Sequence, residues 1–162
     1  MLNYVAIAIL ALLGLTAGVV LGRIASDEIK PGKKYFDLLQ RIASIAIVIG
    51  IALELSQSLS TYLIASFIAG LAVSLFLRIR YLALGIAVFA SASIQSQLFL
   101  FICLATFLYG LPTGSLIYKR ISKGILIRSL LFLIPAVILL FDASSYVNYL
   151  LAFAAGSLLG KK

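Results

Sequence analysis

Seven apolar runs, separated by short polar segments, leave this chain almost no choice of solvent. The runs are Val5 to Arg23, Leu39 to Leu55, Tyr62 to Leu77, Leu82 to Ile94, Leu98 to Ile117, Ile125 to Phe141 and Val147 to Leu159. A transmembrane helix needs about 20 mostly apolar residues, because the hydrocarbon core is about 30 Å thick and a helix rises about 1.5 Å per residue. Several runs are shorter than this, so their helices are expected to extend into flanking polar residues. The fourth run is the weakest. Hydrophobic residues make up 64% of the chain and charged ones 11%, against roughly 45 to 50% and about 25% in a soluble domain. A water-soluble fold of 162 residues would lack the polar surface it needs. The expectation is an all-α membrane protein, a bundle of about seven transmembrane helices forming one polytopic domain over residues 1–162.

The basic residues give an independent test, since cytoplasmic loops carry the excess of Lys and Arg. They fall into four clusters: Arg23, Lys30, Lys33, Lys34 and Arg41; Arg78 and Arg80; Lys119, Arg120, Lys123 and Arg128; and Lys161 and Lys162. With seven crossings, all 13 basic residues lie on one side. Without the fourth crossing the third cluster would face away from the first, so the charge pattern supports that helix. The predicted topology is a multi-pass protein of the cell membrane, N-terminus outside and C-terminus cytoplasmic. Most tyrosines lie near predicted interfaces, where amphipathic rings collect; Tyr109 alone is mid-span. The first run lacks a basic n-region and is longer than a signal-peptide core, so it reads as a mature helix. The net charge of +8 then points to anionic lipid headgroups at the cytoplasmic face rather than to nucleic acid.

Self-comparison suggests a duplication of the kind found in transporters. Aligning 41–72 with 128–159 without gaps gives nine identities in 32 positions, among them Arg41 with Arg128, Tyr62 with Tyr149 and Leu71 with Leu158. At a different offset, Gly14, Leu15 and Gly18 match Gly110, Leu111 and Gly114. Residues 5–77 and 98–159 would then be two three-helix repeats in parallel orientation, joined by a linker helix at 82–94. This 3+1+3 plan is similar to that of SWEET-type sugar facilitators and other PQ-loop proteins. The chain has no Pro-Gln dipeptide, and Pro112 in Gly110-Leu111-Pro112-Thr113-Gly114 is its nearest equivalent.

Gly14, Gly18 and Gly22 form a stripe on one helix face, echoed by Gly110 with Gly114 and by Gly156 with Gly160. Small residues at this spacing let helix backbones approach closely. The simplest reading is packing within the chain; a path lining or a seam in a homo-oligomer is the alternative. Pro112 and Pro135 lie inside apolar runs, where proline removes a backbone hydrogen bond, as at many transporter sites. Tyr109 and Thr113 could offer hydroxyls beside Pro112. Glu54 and Asp142 lie near the outer ends of runs two and six, where the simplest reading is solvation at the interface and the alternative an acidic mouth on the substrate path. Arg41 and Arg128 are expected to snorkel to the cytoplasmic headgroups. Lys30 to Phe36 reads as a turn leading into an interfacial helix.

Enzymatic signatures are missing. There is no His, no paired intramembrane aspartate and no glycine-rich phosphate loop, so neither a catalytic residue, a metal site nor a cofactor is expected. A lone cysteine, Cys103, reads as a packing residue. A lipid-handling enzyme using Asp27, Glu28 and Asp37 is the least favoured class. The leading expectation is a facilitator for a small solute or ion, working about Tyr109, Pro112, Thr113 and Pro135. The alternative is a non-transporting scaffold or assembly factor whose glycine faces bind other membrane helices.

Overall fold

A computed structural model describes residues 2–26, 29–56, 60–77, 79–117, 121–139 and 146–160. Among them, seven α-helices and one 3-10 segment make up the fold, with no strand. The helices are α1 (Leu2–Ile24), α2 (Ile29–Leu55), α3 (Thr61–Phe76), α4 (Arg80–Ser93), α5 (Phe99–Ile117), α6 (Ile121–Leu133) and α7 (Val147–Leu159). The 3-10 segment, Ile134–Leu139, continues α6.

Two boundaries differ from the sequence expectation. The segment read as a turn at Pro31 and Gly32 is the start of α2, which begins at Ile29. Proline is tolerated there because the first N–H groups of a helix have no internal partner in any case. Pro135, by contrast, ends an α-helix. It lacks a donor and pushes the preceding residue out of the α region, so the chain tightens to 3-10 from Ile134.

The α4 segment, weakest as an apolar run, is the most enclosed helix. Eleven of its 14 residues are buried, from Tyr81 through Ala92. A helix apolar all round belongs in a core, and Ala83, Gly85, Ala87 and Ala90 give its neighbours room. A Cβ on Gly85 would overlap the carbonyl oxygen of Phe132, and Pro135 lies against the same face.

Two glycine seams hold the outer pairs of helices. In the first, a Cβ on Gly14 would strike the Phe107 carbonyl, one on Gly18 the Leu111 carbonyl, and one on Gly114 the Leu15 carbonyl. The contacts advance together along both chains, so α1 and α5 run parallel. Ser115 adds a hydrogen bond of 2.9 Å to the Gly18 carbonyl. In the second seam, Gly70 meets the Phe153 carbonyl and Gly156 the Phe67 carbonyl. The Ser66 hydroxyl donates to the Tyr149 carbonyl at 2.7 Å and Ser157 to the Gly70 carbonyl at 3.1 Å. These contacts also advance together, making α3 and α7 parallel.

Each seam is reciprocal. Gly18 on Leu111 mirrors Gly114 on Leu15 at an offset of 96 residues, and Gly70 on Phe153 mirrors Gly156 on Phe67 at an offset of 86. The second offset is one residue from the sequence alignment and superimposes Phe67-Ile68-Ala69-Gly70 on Phe153-Ala154-Ala155-Gly156. The middle helices break the symmetry. While α2 lies against α5 and α7, α6 leans on α4 and barely touches α1 or α5.

Gly18→Ala and Gly114→Ala are expected to destabilise the fold by about 1 to 3 kcal/mol, the usual range for overpacking. Gly124→Ala, where an added Cβ meets nothing, should leave stability unchanged or slightly raised. Reversible unfolding in detergent micelles measures all three.

Candidate solute site

Helix direction gathers the polar residues at one end of the bundle. A cavity of about 380 Å³ is lined by the early part of α2, the ends of α3 and α5, the start of α4 and the second half of α6. Its polar lining is Gln40, Ser74, Arg80, Tyr81, Tyr109, Thr113 and Arg128, and none of the described lining residues is acidic. Apolar Leu77, Leu116, Ile117 and Leu131 complete the wall. A second cavity of about 410 Å³, with Arg41, Ser44 and the end of α7, shares Gln40 and Arg80 with the first.

The hydrogen bonds show which groups are already engaged. Buried Gln40 donates from Nε2 to Thr113 Oγ1 at 2.7 Å, and Thr113 in turn donates to the Tyr109 carbonyl at 2.9 Å. Arg80 Nη2 donates to the Gly160 carbonyl at 2.6 Å, where the negative end of the α7 dipole favours a cation. Arg128 has its guanidinium carbon 5.6 Å from the centre of the Tyr81 ring, within cation–π range. Tyr81 meets Tyr109 edge to face at 6.0 Å. Arg128 Nη1 is buried without a hydrogen bond. Although the Tyr81 hydroxyl is near Thr113, it makes no hydrogen bond of ordinary geometry.

Of the residues singled out in the sequence, Tyr109 and Thr113 line this cavity. Pro112 is buried within α5 and Pro135 packs on Gly85 of α4; neither lines the cavity. Glu54, at the other end of α2, accepts a hydrogen bond of 2.6 Å from Ser96 in the α4–α5 connection. Gln40 and Glu54 are 14 residues apart, or about 21 Å along the helix, so Glu54 and the cavity occupy opposite ends. Asp142 and the alternative catalytic residues Asp27 and Glu28 lie outside the described residues. Gly14, Gly18, Gly110, Gly114 and Gly156 lie in the two seams, Gly160 lies against Ser74, and Gly22 is buried.

Sequence reading missed Gln40, Arg80, Tyr81 and the inward role of Arg128. A signal was present: Gln40 and Ser44 repeat at helical spacing on the face that buries Ile47 and Ile51. Likewise Thr106, Tyr109 and Thr113 form one polar stripe along otherwise apolar α5. Compared with known protein families, curated proteins and solved structures, the chain matches none.

Thr113→Val would leave the buried Gln40 amide without its acceptor. The expected cost is about 1 to 3 kcal/mol, read as a lower unfolding temperature in micelles. Ser56→Ala, an exposed control whose hydroxyl bonds only its own helix, should change stability little.

Proposed function

We propose that the chain is a seven-span carrier for a small solute, built from two parallel three-helix units joined by α4, with its solute site in the cavity at Tyr109 and Thr113. The observation that carries this reading is the cavity itself. Its wall is mostly apolar but brings seven polar side chains together, and it extends from Ile117 at the end of α5 to Tyr109, about 12 Å along that helix.

The membrane part of the proposal rests on surface composition. Among the residues exposed to the surroundings are Ile9, Leu10 and Leu13 of α1, Ile42, Ile45 and Ile49 of α2, and Leu126, Ile127 and Leu130 of α6. Apolar surface of that extent belongs in lipid. Three helices have the length and hydropathy to cross a bilayer: Ala6–Ile24, Pro31–Leu55 and Phe99–Ile117. Lipid thickness constrains a helix that touches lipid; two of the shorter ones, α4 and α7, are largely enclosed by protein. The α6 helix with its 3-10 continuation reaches about 31 Å. Local thinning of the bilayer accommodates α3 at modest cost.

Alternation of helix direction supports the topology. The ends of α3 and α5 and the start of α4 meet around one cavity, with Arg80 among them and Arg128 reaching it from the second half of α6; Arg41 lines the adjoining one. By the excess of basic residues this end faces the cytoplasm. The reciprocal seams support the duplication, since each has one offset of its own, 96 for α1–α5 and 86 for α3–α7, as two copies packed about a two-fold axis along the membrane normal would give if the first carried ten more residues between its seams. The scaffold alternative loses ground because the glycines it would use on a partner are occupied within the chain.

Proteoliposomes reconstituted with the full chain should admit at least one of glycerol, glucose and phosphate faster than empty vesicles, measured by light scattering after an osmotic step. Tyr109→Trp, which fills the cavity, should slow that entry. If no solute enters faster than through bare lipid, the carrier reading fails and the scaffold takes precedence.

A further inference from the structure

We infer that the cavity is an oxyanion site, built to take a phosphate group whose charge is met by Arg80 and Arg128. This rests on the cavity reading above but not on movement of solute across the membrane.

The argument begins with the donors left over. Gln40 Nε2 and the Thr113 hydroxyl are each engaged. Arg128 Nη1 and the Tyr81 hydroxyl are buried without a hydrogen bond. Such groups are costly unless something accepts from them. The Arg128 guanidinium carbon lies over the Tyr81 ring, 5.6 Å from its centre, and a ring face is no ordinary hydrogen-bond acceptor for Nη1. Arg80 commits Nη2 to Gly160 and lines both cavities. The guanidinium carries five N–H donors, so this one bond leaves most of its donors uncommitted.

Two cations and a phenolic hydroxyl therefore line one small space, with no carboxylate among its described lining residues. A neutral sugar would leave both charges uncompensated, and a cation would be repelled. The ligand class that meets all three is an anion with several acceptor oxygens, and the planar fork of arginine suits phosphate geometry. A phosphate can arrive from two sources. Leu77, 57% exposed, lines the cavity beside the apolar Leu116 and Leu131, a wall on which the glycerol and first methylenes of a lipid could lie. A soluble phosphate ester would enter from the basic end instead.

The test is a stability titration of the purified full chain in an uncharged detergent. Inorganic phosphate is compared with chloride at equal ionic strength, and phosphatidylglycerol with phosphatidylcholine added to the micelles. At least one of the two anions should raise the unfolding temperature saturably above its control. A phosphate response identifies a soluble ligand, and a response to phosphatidylglycerol alone a lipid headgroup; either supports the inference. Arg80→Gln and Arg128→Gln should each weaken the response by about ten- to a hundredfold, the worth of a charge-assisted hydrogen bond. Arg23→Gln, exposed near the end of α1 and outside the cavity lining, should titrate like the wild type.

Tyr81→Phe removes only a hydroxyl and provides the same test should the arginine variants fail to fold, with an expected weakening of severalfold. The inference is overturned if neither anion exceeds its control, or if the folded variants titrate as the wild type does. Saturable binding without solute flux would overturn the carrier and leave the oxyanion site standing. Flux with no response to either anion would do the reverse.

Discussion

Backbone contact between helices is the constraint on which the rest of the bundle depends. In a bilayer the hydrophobic effect gives one apolar helix little reason to leave lipid for another, so association relies on close packing and on hydrogen bonds between helices. The α1–α5 and α3–α7 seams use both. Glycines at 14, 18, 114, 70 and 156 place one helix directly on the carbonyls of the next, and Ser66, Ser115 and Ser157 donate across the gap. A side chain at any of these glycines would have to displace backbone rather than a flexible neighbour.

Once the seams are fixed, the positions of the middle helices determine where space remains. The α2 helix fills the groove beside α5 and α7, whereas α6 takes α4 as its support. The departure of α6 from the position that would mirror α2 leaves a gap between α5 and α6 at the basic end. Polar side chains of α2, α3, α4, α5 and α6 meet there. Gln40, Tyr109 and Thr113 form a connected network, and Arg80 closes it against the end of α7. At the other end, Glu54 is occupied by Ser96 and contributes nothing to that network. Asp142, the other residue of the candidate acidic mouth, lies outside the described residues.

Helix number and approximate helix bounds were legible in the sequence, because both follow from the one-dimensional spacing of apolar residues. The glycine stripes were legible as packing faces, and the Gly14–Gly18 match to Gly110–Gly114 marked the helices that pair. What spacing could not convey was which face of each helix meets which neighbour. Arg128 looked like a residue that snorkels because, on an isolated helix, that is its cheapest arrangement; Tyr81 in the bundle offers its ring instead. Pro135 does break its helix, yet it packs on Gly85, one turn along α4 from Tyr81, and does not line the cavity. Which residues of α3 and α7 meet was not legible either: their reciprocal contacts, Gly70 on Phe153 and Gly156 on Phe67, sit one residue from the offset of the alignment.

Accessibility of position 113 tests most directly whether a cationic cavity opens at the basic face. With Cys103 replaced by Ser and Thr113 by Cys, the chain would be treated in sealed vesicles of known orientation with membrane-impermeant methanethiosulfonates of opposite charge. Modification is predicted from the basic side alone, with the anionic reagent faster than the cationic one by on the order of tenfold because Arg80 and Arg128 concentrate anions there. No modification from that side, or faster modification by the cationic reagent, would contradict the account.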